Sequence, residues 1–141
     1  MAGPLIVGVG GDGAGTAAAH TAARVANLMG SSLVLVFGYE STAMGPRGGP
    51  LEEQVSAIGR EATTALKAEL AQEYPDLVIE IELVGDRPVE SLITVAEARG
   101  AEAIAVGHGG GGPMAGALLG SITYEIVHRA PLPVLVVPDT E

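Results

Sequence analysis

Two stretches of this chain present backbone N–H groups, rather than reactive side chains, as their chemistry: GVGGDGAG at 8–15 and GHGGGG at 107–112. Glycine admits φ > 0, and without a Cβ it lets an anion approach the main chain closely. Gly110 is followed by nine residues and then by Gly120-Ser121, at the head of a segment with helical periodicity. Ser121 is a natural N-cap, and exposed N–H groups at a helix start, joined by those of a preceding glycine loop, can converge on phosphate. The same local composition suits a slack loop before an ordinary capped helix equally well. The earlier stretch fits the dinucleotide spacing G-x-G-x-x-G at Gly8, Gly10 and Gly13, with Glu40 as a candidate ribose acid. Against that reading, Gly8 falls inside an apolar strand run, Glu40 lies farther off than usual, and 141 residues leave no room for a substrate domain.

Other chemistry is sparse. Of the three histidines, His20 and His128 fall within helical segments, and a cation near the end of the last helix complements its dipole. His108 alone lies on the glycine loop, either as a phosphate contact at mildly acidic pH or, more simply, as a solvated loop residue. There is no cysteine, no spacing of zinc ligands and no H-E-x-x-H. Ser121 has no base and orienting acid identifiable from sequence, so no catalytic residue is assigned.

The elements that would position these turns alternate along the chain. Short apolar runs at 5–9, 33–37, 77–84, 103–106 and 134–137 read as strands, the third with the wetter face of a sheet edge. Between them lie four helical patterns. Thr16–Met29 stops at Gly30, and Leu51–Tyr74 carries an apolar stripe at Val55, Ile58, Ala62, Leu66 and Leu70. Pro88–Arg99 stops at Gly100, and Ser121–Arg129 precedes the last strand. Residues 39–50 form a Gly/Pro/Ser-rich loop. Strict alternation predicts an α/β domain, 1–141, with a parallel sheet and right-handed crossovers.

Composition bounds the partners. The chain is 48% hydrophobic with only three Tyr, one Phe and no Trp, so the core must be aliphatic. A net charge of −10 and no Lys/Arg cluster argue against nucleic-acid binding. No apolar run reaches membrane-spanning length, and no cationic N-terminus precedes an apolar stretch, so a cytoplasmic protein is expected.

The set Gly107-x2-Gly110-x9-Gly120-Ser121, then Ile122 and the ending APLPVLVVP at 130–138, resembles the universal stress protein family. The resemblance runs along essentially the whole chain, including the glycine turn after the first strand and Gly85…Pro88 before the third helix. It implies a Rossmann-like three-layer sandwich with a five-stranded parallel sheet of order 3-2-1-4-5 and four helices. It also implies binding of ATP, or of AMP or ADP, possessing no strong catalytic activity, with Mg²⁺ as a companion ion. By position, Val106, Gly107, Gly110, Gly120, Ser121 and Ile122 would line ribose and phosphates, with His108 on the same loop and Gly38 beside adenine. A homodimer through the last strand, Pro133 to Pro138, is implied as well. Where the family usually carries Asp after the first strand, this chain has Gly10; Asp12 is placed either to take over that nucleoside contact or to cap the first helix. Many relatives carry Arg or Lys between the loop glycines, and this chain carries none, which predicts weaker ATP binding. The alternatives are a nucleotide-free interaction protein of this fold, and a weak ATPase or dinucleotide-binding protein.

Overall fold

A computed structural model describes residues 3–10, 15–40, 49–108 and 120–138. In chain order the elements are β1 (Leu5–Gly8), α1 (Thr16–Met29), β2 (Leu33–Gly38), α2 (Pro50–Glu73), β3 (Ile79–Val84), α3 (Pro88–Arg99), β4 (Ala103–Gly107), α4 (Ser121–Arg129) and β5 (Val134–Val137). All strand pairs are parallel, in the order β3-β2-β1-β4-β5. This is the expected sheet, and three of the four helices start and stop where the sequence patterns do.

The strands read as continuous apolar runs because both faces of the sheet are covered. Leu5 and Val7 of β1 pack toward α1 and α2, together with Leu35, Leu66 and Leu70. Ile6 of the same strand faces the opposite layer, with Val34, Leu92, Ile104 and Ile126 of the α3/α4 side. Helix α1 buries five alanines, Ala18, Ala19, Ala22, Ala23 and Ala26, each 0% exposed. Side chains that short let α1 lie close on the central strands. Gly30 and Gly100, the expected stops of α1 and α3, both adopt left-handed φ and accept the helix ends in the usual C-cap manner.

Two readings are corrected. The stripe assigned to α2 holds at Leu66 and Leu70, which are buried, and is rotated before them: Ile58 is 53% exposed, while Gly59 and Thr63 face the core. The cause is Phe37 at the end of β2, whose ring occupies the position that a Cβ on Gly59 would need. Glycine inside a helix costs about 1 kcal/mol against alanine. Forcing a methyl into a packed ring costs roughly 1–3 kcal/mol, so glycine is the better residue there. The N-cap of α4 is Gly120, and Ser121 is the first helical residue, exposed and making no capping hydrogen bond. The first helix likewise has glycine, Gly15, at its N-cap; Asp12 lies outside the described residues.

Strand β3 is an edge strand, and its wetter face has a specific use. Arg99 at the end of α3 reaches Glu80 at 2.6 Å and Glu82 at 2.5 Å, tying the helix to the edge. The hydrogen bonds that Arg99 donates to Glu82 and Glu80 hold its guanidinium above its usual pKa, against the opposing effect of burial. Among the described residues, no helix is long and apolar enough to cross a membrane.

Candidate functional site

Strand order reverses at β1: β2 and β3 lie on one side of it, β4 and β5 on the other. In open parallel sheets the crevice for a ligand opens beyond the carboxyl ends of the strands at this point. A cavity of about 390 Å³ occupies it. Its floor is made by strand ends: Gly8 to Gly10 after β1, Val36 and Gly38 of β2, and Val106 and Gly107 of β4. Its walls are helix starts: Gly15, Thr16 and Ala17 from α1, Pro88 and Leu92 from α3, and Ile122 and Thr123 from α4.

Each wall has a local cause. Gly15 stands at φ 86°, a left-handed conformation that turns the chain from β1 into α1. The first α-helical bond of α1 is Ala19 N–H to Gly15 O at 2.8 Å, so the N–H groups of residues 16–18 precede the helical ladder. Pro88 begins α3 without needing an N–H, and Ser91 anchors that start by donating its hydroxyl to Arg87 O at 2.8 Å. At Gly38, β2 passes so close to α3 that a Cβ would lie 2.5 Å from Ser91 Oγ and 3.0 Å from Pro88 Cα.

The start of α4 is fastened to the end of β4 by two hydrogen bonds, and a third ties that end to β5. His108 N–H donates to Val137 O at 2.7 Å, and Gly120 N–H donates to His108 O at 3.1 Å. Thr123 Oγ1 donates to Gly107 O at 2.5 Å. The helical ladder of α4 begins with Tyr124 N–H to Gly120 O at 2.9 Å, leaving the N–H groups of residues 121–123 ahead of it. The 109–119 segment, with Gly110, lies outside the described residues, but its two ends are held together by the His108–Gly120 bond.

Of the residues singled out from sequence, Gly10, Gly38, Val106, Gly107 and Ile122 line one cavity. His108 and Gly120 lie beside it as the paired ends of the loop, and Ser121 is at the helix start without lining the cavity. Sequence reasoning missed Thr123, Gly15 and the α1 start, and Leu92. Thr123 carried a legible signal: it is a hydroxyl one turn into a helix that follows a strand end, and only 3% of it is exposed. Leu92 carried none, because its place depends on how α3 crosses the sheet.

None of the described lining residues is charged. The nearest ionic network lies outside the cavity, where Arg129 pairs with Glu90 at 2.7 Å and with Glu125, and Arg87 pairs with Glu90 at 3.2 Å. The hydrogen bond from Arg129 holds the Glu90 carboxyl below its usual range, although partial burial acts the other way. His128 donates through Nδ1 to the Tyr124 carbonyl at 2.8 Å, and its ring lies tilted against the Tyr124 ring at 4.3 Å, outside the lining. His20 pairs with Glu69 at 3.2 Å, a contact between α1 and α2. Among the described residues no cluster of His, Cys, Asp or Glu could hold a metal ion.

The whole arrangement has known counterparts. The family model for the universal stress protein family matches residues 1–138. Universal stress protein Rv2005c of Mycobacterium tuberculosis is 31% identical over 136 residues, covering 94% of this chain and 44% of the relative. Universal stress protein Rv1996 of the same organism is 30% identical over 140 residues, with 43% of that relative covered. The chain thus spans under half the length of these relatives. Among solved structures, a universal stress protein in complex with cAMP superposes with a TM-score of 0.71 at 27% identity, over 99% of this chain and 98% of that one. A universal stress protein from Archaeoglobus fulgidus reaches a TM-score of 0.76 at 20% identity, over 96% and 98% of the two chains, a likeness of fold. Sheet order, glycine-rich turns and the match along the full length agree: the chain belongs to the universal stress protein family.

Proposed function

We propose that this protein is an adenine-nucleotide-binding regulatory module of the stress response, which takes ATP, ADP or AMP at the carboxyl ends of β1, β2 and β4. The observation that carries the reading is the cavity at the strand-order reversal, floored by glycine-bearing strand ends and walled by helix starts. Glycine and helix-start N–H groups suit phosphate, and the apolar lining from Val36, Leu92 and Val106 suits a base. The structural relative at 27% identity was solved with cAMP, an adenine nucleotide. Within this proposal, Val106, Gly107, Gly110, Gly120, Ser121 and Ile122 surround ribose and phosphates. Mg²⁺ would accompany a polyphosphate, held by the nucleotide itself. Among the described residues no side chain in the lining is placed as a base, and the module is proposed to work through conformation and partners rather than turnover.

Extraction of the purified protein with acid is expected to release adenine nucleotide. Titration with adenine nucleotides is expected to raise Tm. At a hundred times Kd the gain in stability is about 2.7 kcal/mol, which corresponds to roughly 5–10 °C for a domain of this size. Nucleotide-free protein whose Tm no adenine nucleotide moves would overturn the reading in favour of an interaction protein of the same fold.

Two copies are proposed to pair through β5. It is an edge strand whose Val134, Leu135 and Val136 remain half-buried, and α4 beside it exposes Tyr124 at 59% and Val127 at 45%. An open apolar edge of this kind is a template for a second strand. Sedimentation showing only monomer at the highest soluble concentration excludes it.

A further inference from the structure

The end of β4 is bonded unevenly on its two sides. Toward β5 the parallel register runs through Gly107↔Val137, and His108 N–H extends it to Val137 O at 2.7 Å. Toward β1 the register stops two residues earlier, at Val7↔Ala105. Gly107 therefore lies past the last β1 partner, on the cavity floor, where its carbonyl needs a donor from outside the sheet. The donor is the Thr123 hydroxyl, 2.5 Å from Gly107 O.

Thr123 differs from its neighbours at the start of α4. It is 3% exposed, whereas Ile122 is 43% exposed and Ser121 is exposed with no capping bond. Two further contacts hold the helix: Ile126 is buried in the core beneath it, and Arg129 at its far end pairs with Glu90 of α3. Apolar burial is non-directional, and the ion pair lies about two turns beyond Thr123. The Thr123 bond constrains both distance and angle at the start itself. Threonine is stiff at χ1, so anchoring Oγ1 also anchors the main chain that carries it. That main chain includes the N–H groups of residues 121–123, which lie ahead of the helical ladder.

We infer that Thr123 is the positioning residue for the phosphate end of the site. By donating to the Gly107 carbonyl, its hydroxyl sets the α4 start so that the N–H groups of residues 121–123 meet the phosphate of a bound nucleotide. The same bond occupies a carbonyl oxygen that would otherwise repel that phosphate from the cavity floor. Thr123 acts through the main chain and needs no contact between its side chain and the nucleotide. Because it assigns a role within the adenine-nucleotide site, the inference rests on that reading. Its signature is a split: loss of the hydroxyl weakens AMP and leaves adenosine, which has no phosphate, unaffected.

Calorimetric titration of the full chain with AMP and with adenosine tests it, in wild type, Thr123→Val and Thr123→Ser. Valine keeps the shape and removes the donor; serine keeps the donor. AMP affinity is expected to fall about tenfold or more in Thr123→Val, the scale of one charge-assisted hydrogen bond, and to return close to wild type in Thr123→Ser. Adenosine affinity is expected to be unchanged in all three. Equal losses for AMP and adenosine in the valine variant overturn the inference, since a merely structural residue acts on both. Unchanged AMP affinity in that variant overturns it too, as does a serine variant as weak as valine. A second measurement uses wild type alone, and so stands even where valine does not fold. The amide resonances of Ser121, Ile122 and Thr123 are expected to shift further with AMP than with adenosine; shifts no larger with AMP overturn the inference. If neither AMP nor adenosine binds the wild type, the adenine-nucleotide reading itself falls, an outcome distinct from loss of the positioning role.

Discussion

Replacing Gly15 by valine is expected to destabilise the fold by about 2–6 kcal/mol, because two costs of about 1–3 kcal/mol each act on one residue. The first is conformational. At φ 86° an L-residue is strained, and a β-branched one most of all. The second is steric: a Cβ on Gly15 would press into the Gly8 carbonyl oxygen, a main-chain atom that no rotamer change can move. Against a typical domain stability of about 5–15 kcal/mol the sum is a large fraction. In urea, with m near 1–3 kcal/mol per molar, the unfolding midpoint should fall by roughly 1 M or more. Gly30→Ala separates the two costs, since Gly30 also has positive φ (71°) but open space around its Cβ position. It should lose only the smaller, conformational part. A Gly15→Val midpoint no lower than that of Gly30→Ala rejects the steric account. Nucleotide binding should fail with the fold, because Gly15 sets the direction of the α1 start that walls the cavity.

Gly38→Val is expected to act on binding more than on stability. Backbone conformation permits valine here, and a strand end favours it by less than about 1 kcal/mol. Its Cβ, however, would lie 2.5 Å from Ser91 Oγ and 2.9 Å from Ser91 Cβ. Ser91 is fully buried and its hydroxyl is committed to the carbonyls of Arg87 and Asp86, so it cannot turn aside. The start of α3 must move outward, costing about 1–3 kcal/mol of packing. Pro88 and Leu92 move with it, and both line the cavity. Affinity for adenine nucleotides should fall tenfold or more while the protein stays folded. A variant with wild-type affinity would show that the close approach of β2 and α3 does not shape the pocket. Gly38→Ala should give the same direction with a smaller effect.

What could be read without the fold differed between scaffold and site. The glycine motif and the Pro-flanked ending pointed to the family before any geometry was available, and the boundaries of α1, α3 and α4 followed from local signals. Of the eight singled-out residues among those described, five reach the cavity because loops after parallel strands all open at one end of the sheet. Ser121 drew attention as a hydroxyl at a helix start, yet the chain caps that helix with Gly120, and Thr123 makes the buried bond instead. The offset of two residues depends on the angle at which α4 leaves β4, a tertiary quantity.

The sequence by itself determined the alternation of elements, the two glycine turns, and the absence of Lys and Arg from residues 105–123. These are local or compositional properties, and each residue carries them wherever it is placed. Only the tertiary structure decided that α1 and α4 start on opposite walls of one cavity, that Gly59 rather than Ile58 faces the core, and that Gly38 is pressed against Ser91. Those relations join residues far apart in the chain. They follow from how helices settle on a twisted sheet, where packing selects among orientations that the hydrophobic pattern alone leaves equivalent.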